Sequence, residues 1–299
     1  MDKKSKMLFV FNPYSGKAQL KNHLVEIIDI FIKGGYEITI HATQEREDAY
    51  NLIKLDAHLY DIIVCSGGDG TLNETVRALM EIESKTRLGY IPSGTTNDFA
   101  FSVNIPNDMI KSAQNIVDGM TFACDIGKFN DKFFTYIAGF GAFTNVSYET
   151  PQQKKNMMGH LAYVLEGMKS LGSIKPYKIT CEYNDKIISD EFVLGLVTNT
   201  VSIGGYRKLG DLDIALDDGL FEVALIRKPK NAFDLQSIIS SILSQKFDSP
   251  YILTFKTSHL KITCDEEINW TLDGENGGQF SIADIKNCKQ AVCIIVPNQ

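Results

Sequence analysis

The stretch Ser66-Gly67-Gly68-Asp69-Gly70-Thr71-Leu72-Asn73-Glu74 follows a short run that reads as a buried strand, residues 61–65, and leads directly into helical apolar spacing over residues 72–82. A strand, a glycine-rich turn and a helix in that order form the βα junction of an open α/β sheet, whose ligands bind outside the carboxyl ends of the strands. Glycines leave room where a backbone must bend and approach a phosphate. A helix opening near Thr71 presents its first N–H groups to an anion. Asp69, held in the turn, is a candidate to carry a metal or its water shell beside such a ligand. Taken alone, the stretch also reads as a tight turn with glycine for geometry. It is not a Walker A loop, since no G-x-x-x-x-G-K-[ST] occurs, and Gly139-Phe140-Gly141 is a fragment of a dinucleotide fingerprint without its third glycine before a helix.

Outward from this turn, strand patterns at residues 7–11, 37–41, 61–65 and 88–91 alternate with helical patterns at 20–32, 45–55, 72–82 and 108–117. Such alternation implies βαβ units and a parallel sheet, here a doubly wound α/β domain over residues 1–125. The rhythm changes near Asp125-Ile126-Gly127. Strand-like runs then dominate, at 133–139, 177–183, 187–199, 213–216, 221–228, 252–264, 268–272 and 292–296, interrupted by helical segments at 154–171 and 232–245. Residues 126–299 therefore read as a β-rich antiparallel sandwich or barrel, with the C-terminal end free to return to the first domain.

Two further polar loops sit on the same sheet edge. Asn12-Pro13-Tyr14-Ser15-Gly16-Lys17 follows the first strand, where Ser15 and Lys17 can donate to phosphate and Gly16 permits close approach. Ser93-Gly94-Thr95-Thr96-Asn97-Asp98 follows the strand at 88–91. Each alone is compatible with an ordinary helix start; three such loops from three strands make a nucleotide cleft.

Asn-Pro-x-Ser-Gly, Gly-Gly-Asp-Gly-Thr and Gly-Thr-x-Asn-Asp, in this order, resemble the diacylglycerol kinase catalytic domain, a family of bacterial lipid kinases with more distant sphingosine and ceramide kinase relatives. The Gly-Gly-Asp-Gly-Thr element alone is shared with NAD kinases and phosphofructokinases. Farther on, Asp217-Asp218-Gly219-Leu220-Phe221 and Asp273-Gly274-Glu275 resemble the family's Asp-Gly and Asp-Gly-Glu segments. The resemblance implies a magnesium-dependent kinase that transfers the γ-phosphoryl group of ATP to a lipid hydroxyl, diacylglycerol foremost, giving phosphatidic acid. It implies ATP contacts from Asn12, Pro13, Tyr14, Ser15, Gly16, Thr43, Gly67, Gly68, Asp69, Gly70, Thr71, Leu72, Asn73 and Thr95, with Thr43 resting on its position after a strand. It implies Glu275 as general base, catalysis aided by Asp69, and a structural magnesium ion on the Asp218 carboxylate with the carbonyls of Ala215 and Leu220, joined through water to Asp69 and Asp98. Where the family often has Pro-x-Ala ahead of the Asp-Gly segment, this chain has Leu209-Gly210-Asp211-Leu212-Asp213-Ile214-Ala215, which bears most on Ala215.

The residue types suit that chemistry in their own right. Phosphoryl transfer needs positioning and charge neutralisation more than covalent help, and a carboxylate that takes the proton of a weakly acidic hydroxyl contributes roughly 10²–10⁴-fold. The formal charge of -7, from 30 Lys plus Arg against 37 Asp plus Glu, excludes nucleic acid as the main partner. No secretory signal and no ~20-residue apolar span is evident, so a cytoplasmic protein acting transiently at the inner membrane face is expected. Six cysteines without a C-x-x-C pair read as free thiols, with Cys65, Cys124 and Cys181 buried, rather than as zinc ligands. Met157, Met158, Phe140, Phe143, Tyr148 and Tyr163 fit an acyl channel or plain core. Lys154, Lys155, Lys175, Lys178, Arg207 and Lys208 fit a membrane-facing patch or ordinary solvated surface. An edge strand of the second domain offers a route to a homodimer. A soluble-substrate kinase of the NAD kinase type, and a non-catalytic nucleotide- or lipid-binding regulator, stand as alternatives.

Overall fold

The computed structural model describes residues 4–141, 175–200, 202–203, 206–207, 215–244 and 247–298. The chain divides into two compact units, Met1–Ile126 with Lys289–Gln299, and Gly127–Cys288.

In the first unit, β1 (Ser5–Phe11) pairs in parallel with β2 (Tyr36–Ala42) and β3 (Ile62–Gly67), and β3 pairs in parallel with β4 (Arg87–Pro92). Every residue of β3 is buried, which is why its sequence reads as a continuous apolar run rather than an alternating one. Helices α1 (Leu24–Lys33) and α5 (Met109–Asp118) contribute Ile27, Phe31, Ala113 and Ile116 to a core with Met7, Phe9, Ile62, Val64 and Ile91 of the strands. Helix α2 (Asp48–Asp56) packs on α3 (Asp69–Glu81), and α3 on β3. A five-residue helix, α4 (Asp98–Ser102), follows the third loop. The C-terminal strand contributes Ile294, paired in parallel with Leu88, and Ile295 to the core.

The second unit is β-rich and antiparallel. Strand β7 (Ile137–Gly141) lies between β9 (Lys186–Thr198) and β14 (His259–Leu272), β8 (Tyr177–Tyr183) pairs with both β9 and β14, and β12 (Phe221–Arg227) pairs with β9 and β13 (Ile252–Thr257). The long β5 (Met120–Phe129) and β15 (Glu275–Val296) each supply residues to both units, and β6 (Lys132–Phe134) pairs with the end of β5. A short ladder joins β10 (Ser202–Ile203) to β11 (Tyr206–Arg207). Helix α6 (Ala232–Leu243) starts where the Asn231 side chain accepts the N–H groups of Phe233 and Asp234. The core centres on Trp270, buried with ring centroids 4.8 Å from Phe129 and 4.9 Å from Phe140.

Several sequence expectations need correction. Residues 20–32 are not one helix: a 3-10 segment over Ser15–Asn22 precedes α1. Helix α3 starts at Asp69, two residues before Thr71. The strand read at 133–139 is β6 and β7, broken because the N–H groups of Thr135 and Tyr136 turn to the Asp273 carboxylate instead of a neighbouring strand. The strand read at 252–264 is broken at Ser258, where the Thr257 hydroxyl donates to the His259 carbonyl at 2.7 Å. Residues 215–216 are not strand. The helix at 154–171, the aromatic and Met residues 143, 148, 157, 158 and 163, Lys154, Lys155, Lys208, Asp211 and Asp213 lie outside the described residues, as does the side chain of Arg207. Cys65, Cys124 and Cys181 are free and buried, and burial pushes each thiol up to about 12.

Trp270 is the chain's single tryptophan. Trp270→Ala removes the centre of the second core and should lower stability by about 3–5 kcal/mol, measured as an earlier urea midpoint by circular dichroism.

Candidate active site

The three polar loops leave the carboxyl ends of β1, β3 and β4, which are neighbours in the sheet. Main-chain hydrogen bonds continue beyond the strands: Asn12 N–H donates to the Ser66 carbonyl at 2.9 Å, Ser93 N–H to the Gly67 carbonyl at 2.8 Å, and Thr43 N–H to the Phe11 carbonyl at 2.9 Å. The Ser15 hydroxyl donates to the Ser93 carbonyl at 3.2 Å. Approach is so close that a Cβ at Gly16, whose φ is +53°, would stand 1.8 Å from the Ser93 carbonyl oxygen. A Cβ at Gly94 would stand 2.6 Å from the Gly68 Cα. The first loop is braced by Asn12 Oδ1, which accepts from Tyr14 N–H, leaving the Tyr14 ring 83% exposed.

Gly68 is the residue ahead of α3, and no side chain caps that helix. The first N–H groups of a helix have no partner within it, and together with the axial dipole they attract an anion. Ser66 and Ser93 have buried hydroxyls without a hydrogen-bond partner among the described residues. Asp69 Oδ2 accepts the Asn97 N–H at 3.1 Å. Asn73 is half-buried, Thr71 is buried and Thr95 is exposed, whereas Leu72 is fully buried, so its side chain belongs to the core and only its main chain is available to a ligand. Asp98 is buried at the start of α4.

In the second unit, Glu275 is exposed at the end of a hairpin, where Leu272 pairs with Glu275 across Asp273-Gly274. The hairpin is built by Asp273, which the Asp-Gly-Glu motif contains but to which the sequence assigns no role. Asp273, with φ +50°, is buried, and its carboxylate accepts the N–H groups of Thr135, Tyr136 and Ile137 and the Thr135 hydroxyl at 2.6–3.1 Å. Burial pushes this carboxyl up, and those four donors pull it back. The signal was present as an acid beside glycine in a turn, but its partners lie some 136–138 positions earlier in the chain.

The expected metal turn is also in this unit. Asp218 Oδ1 accepts the Leu220 N–H at 2.8 Å, folding the turn about the carboxylate. Magnesium is commonly held by one or two carboxylates with oxygen donors and water completing the shell, so Asp218 with the Ala215 and Leu220 carbonyls fits in kind. Lys256 Nζ lies 3.7 Å from Asp218 Oδ2 and 3.2 Å from Oε1 of buried Glu222, its cross-strand partner, so an internal cation already serves this cluster. Burial lifts the Glu222 carboxyl to about 7 against the opposing pull of Lys256. Among the described residues no group of three or more His, Cys, Asp or Glu is placed to hold a metal ion, and no helix is long and apolar enough to cross a membrane. Lys175, on the surface, pairs with Glu266.

Comparison with known proteins is consistent across the chain. The family model for the diacylglycerol kinase catalytic domain matches residues 6–129. A diacylglycerol kinase of Bacillus subtilis (strain 168) is 35% identical over 292 residues, covering 97% of this chain and 96% of the relative. One of Staphylococcus aureus (strain MRSA252) is 33% identical over 291 residues, covering 97% and 91%. A crystal structure of a diacylglycerol kinase from Bacillus anthracis str. Sterne superposes with a TM-score of 0.83 at 24% identity, over 99% of this chain and 98% of that one, and so shares its two-domain fold.

Two variants probe this geometry. Asp273→Ala leaves buried N–H groups without their acceptor and should cost about 2–5 kcal/mol, read in a urea melt. Gly94→Ala forces the third loop off the second, and should weaken ATP binding by roughly tenfold or more, read by calorimetric titration.

Proposed function

The chain belongs to the diacylglycerol kinase family and is a lipid kinase, and on that footing we propose that it moves the γ-phosphoryl group of ATP onto the hydroxyl of diacylglycerol, releasing phosphatidic acid and ADP. The observation that carries this reading is the locked arrangement of three loops around the uncapped start of α3. It suits a polyphosphate because main-chain donors and a helix terminus supply positive potential without mobile side chains.

The first unit is taken as an α/β nucleotide-binding domain of the kind shared with NAD kinases, and the second as the lipid-substrate domain. Asn12 to Gly16, Thr43, Gly67 to Asn73 and Thr95 would hold ATP, Leu72 through its main chain alone. Asp69, anchored by the Asn97 N–H, would orient the hydrated cation that accompanies the phosphates. Magnesium, when bound, neutralises charge on the β- and γ-phosphates. Asp218, with the Ala215 and Leu220 carbonyls, would hold a structural magnesium ion in competition with Lys256.

Glu275 would accept the proton of the lipid hydroxyl as it attacks phosphorus. Because Glu275 is exposed, the proton could pass on to solvent. The hairpin clamp through Asp273 holds the main chain on which it stands. Because the acceptor resides in a bilayer, the protein would work as a peripheral visitor to the cytoplasmic membrane face.

Incubation with γ-labelled ATP, magnesium and a total lipid extract, followed by mass analysis, should place the label in phosphatidic acid. Label confined to a water-soluble product would favour a soluble acceptor, and tight ATP binding without transfer would favour a regulator. Glu275→Ala should lower turnover by roughly 10²–10⁴-fold with the ATP dissociation constant unchanged in titration. Normal turnover in that variant would remove Glu275 as the base.

A further inference from the structure

Asn97 breaks a local rule. It is the residue immediately before α4, a position where asparagine usually caps the helix with its side chain, yet it makes no such cap and sits in the left-handed region at φ +54°. Its amide is spent elsewhere: Oδ1 accepts the Gly94 N–H at 3.0 Å and Nδ2 donates to the Gly94 carbonyl at 3.1 Å. Both polar groups of one glycine are thereby tied to a single buried side chain. The main-chain N–H of the same residue is the one that holds Asp69.

Beneath this pair lies Tyr90 of β4, fully buried. Its hydroxyl donates to the Gly67 carbonyl at 3.2 Å and stands 3.5 Å from Asn97 Oδ1, at the limit of a hydrogen bond. Burial, and then the nearby Asp69 charge, push the phenol well above its ordinary value, so the hydroxyl keeps its proton as a donor. A tyrosine set between Gly89 and Ile91 would pack as well without its oxygen. The hydroxyl reaches the point where the second and third loops meet.

We propose that Tyr90 and Asn97 are positioning residues for phosphoryl transfer: together they lock the Gly67–Gly70 turn to the Gly94 loop and aim the Asp69 carboxylate. Neither touches the reacting atoms. The inference rests on the reading of these loops as the ATP site and names what sets their geometry.

Two variants isolate the effect. Tyr90→Phe keeps the ring and deletes only the oxygen; the Gly67 carbonyl still accepts Ser93 N–H at 2.8 Å, so no buried group is orphaned. Asn97→Gly keeps the left-handed backbone and the N–H to Asp69 while deleting the amide clamp. Each should lower kcat/KM for ATP roughly ten- to hundredfold, the scale at which small misplacements act. KM for the lipid should stay unchanged, and Tm should move by about 4 °C or less. Wild-type kcat/KM for ATP in both variants would overturn the proposal, as would equal losses toward both substrates that follow a fall in Tm. ATP titration of the unaltered chain separates the two levels: binding there with unaffected variants sinks only this inference, and no binding sinks the ATP site along with it.

Discussion

At the carboxyl edge of β1, β3 and β4, main chain lies directly on main chain, and Gly16 and Gly94 are the points of contact. A side chain at either place would occupy space already filled by the Ser93 carbonyl or the Gly68 Cα. With side chains excluded at those points, the loops are held by peptide hydrogen bonding, by the side chains of Ser15, Asp69 and Asn97, and by the Tyr90 hydroxyl from the strand below. That constraint explains the composition of the edge. At the two contacts themselves only glycine fits, whereas Tyr14 of the first loop is exposed to solvent, and main-chain donors of this kind are ones a phosphate can use.

The second unit uses the same physics on itself. Three successive N–H groups at 135–137 form a concave donor set, and the chain fills it with its own anion, Asp273. Three main-chain donors and a hydroxyl offset much of the cost of burying a carboxylate. The result is a hairpin tip tied through Asp273 to residues 135–137, with Glu275 two residues farther on. This donor set is thus internally satisfied and structural.

Charge is handled differently at the Asp218 turn. Asp218 and Glu222 share Lys256, and one oxygen of Asp218 is engaged by the turn's own N–H. A divalent ion bound there would meet a hard donor and a resident ammonium together, so its affinity would be a balance between the oxygen donors and Lys256.

The apolar runs and glycine clusters told most of the first unit's fold: the run 62–65, set between βα turn signals, reads as a strand buried on both faces. Helix α5 and strand β2 were readable for the same reason, since their side-chain periodicity is local. The long strands β5 and β15 were not. Asp125 and Gly127 interrupt the pattern of β5, and the polar stretch 284–290 hides β15, because these residues are satisfied by partners far away in the chain; Asp125 takes the N–H of Gln290 at 2.7 Å. The roles of Asp273, Asn97, Tyr90 and Lys256 belong to the same class. Local sequence determined which segments are strands, helices and phosphate-friendly turns, because those follow from neighbouring residues. Which carboxylate is buried as a brace, which stays exposed, and which hydroxyl bonds a distant carbonyl were decided only by tertiary structure, because burial and hydrogen-bond partners are set by residues that the fold alone brings together.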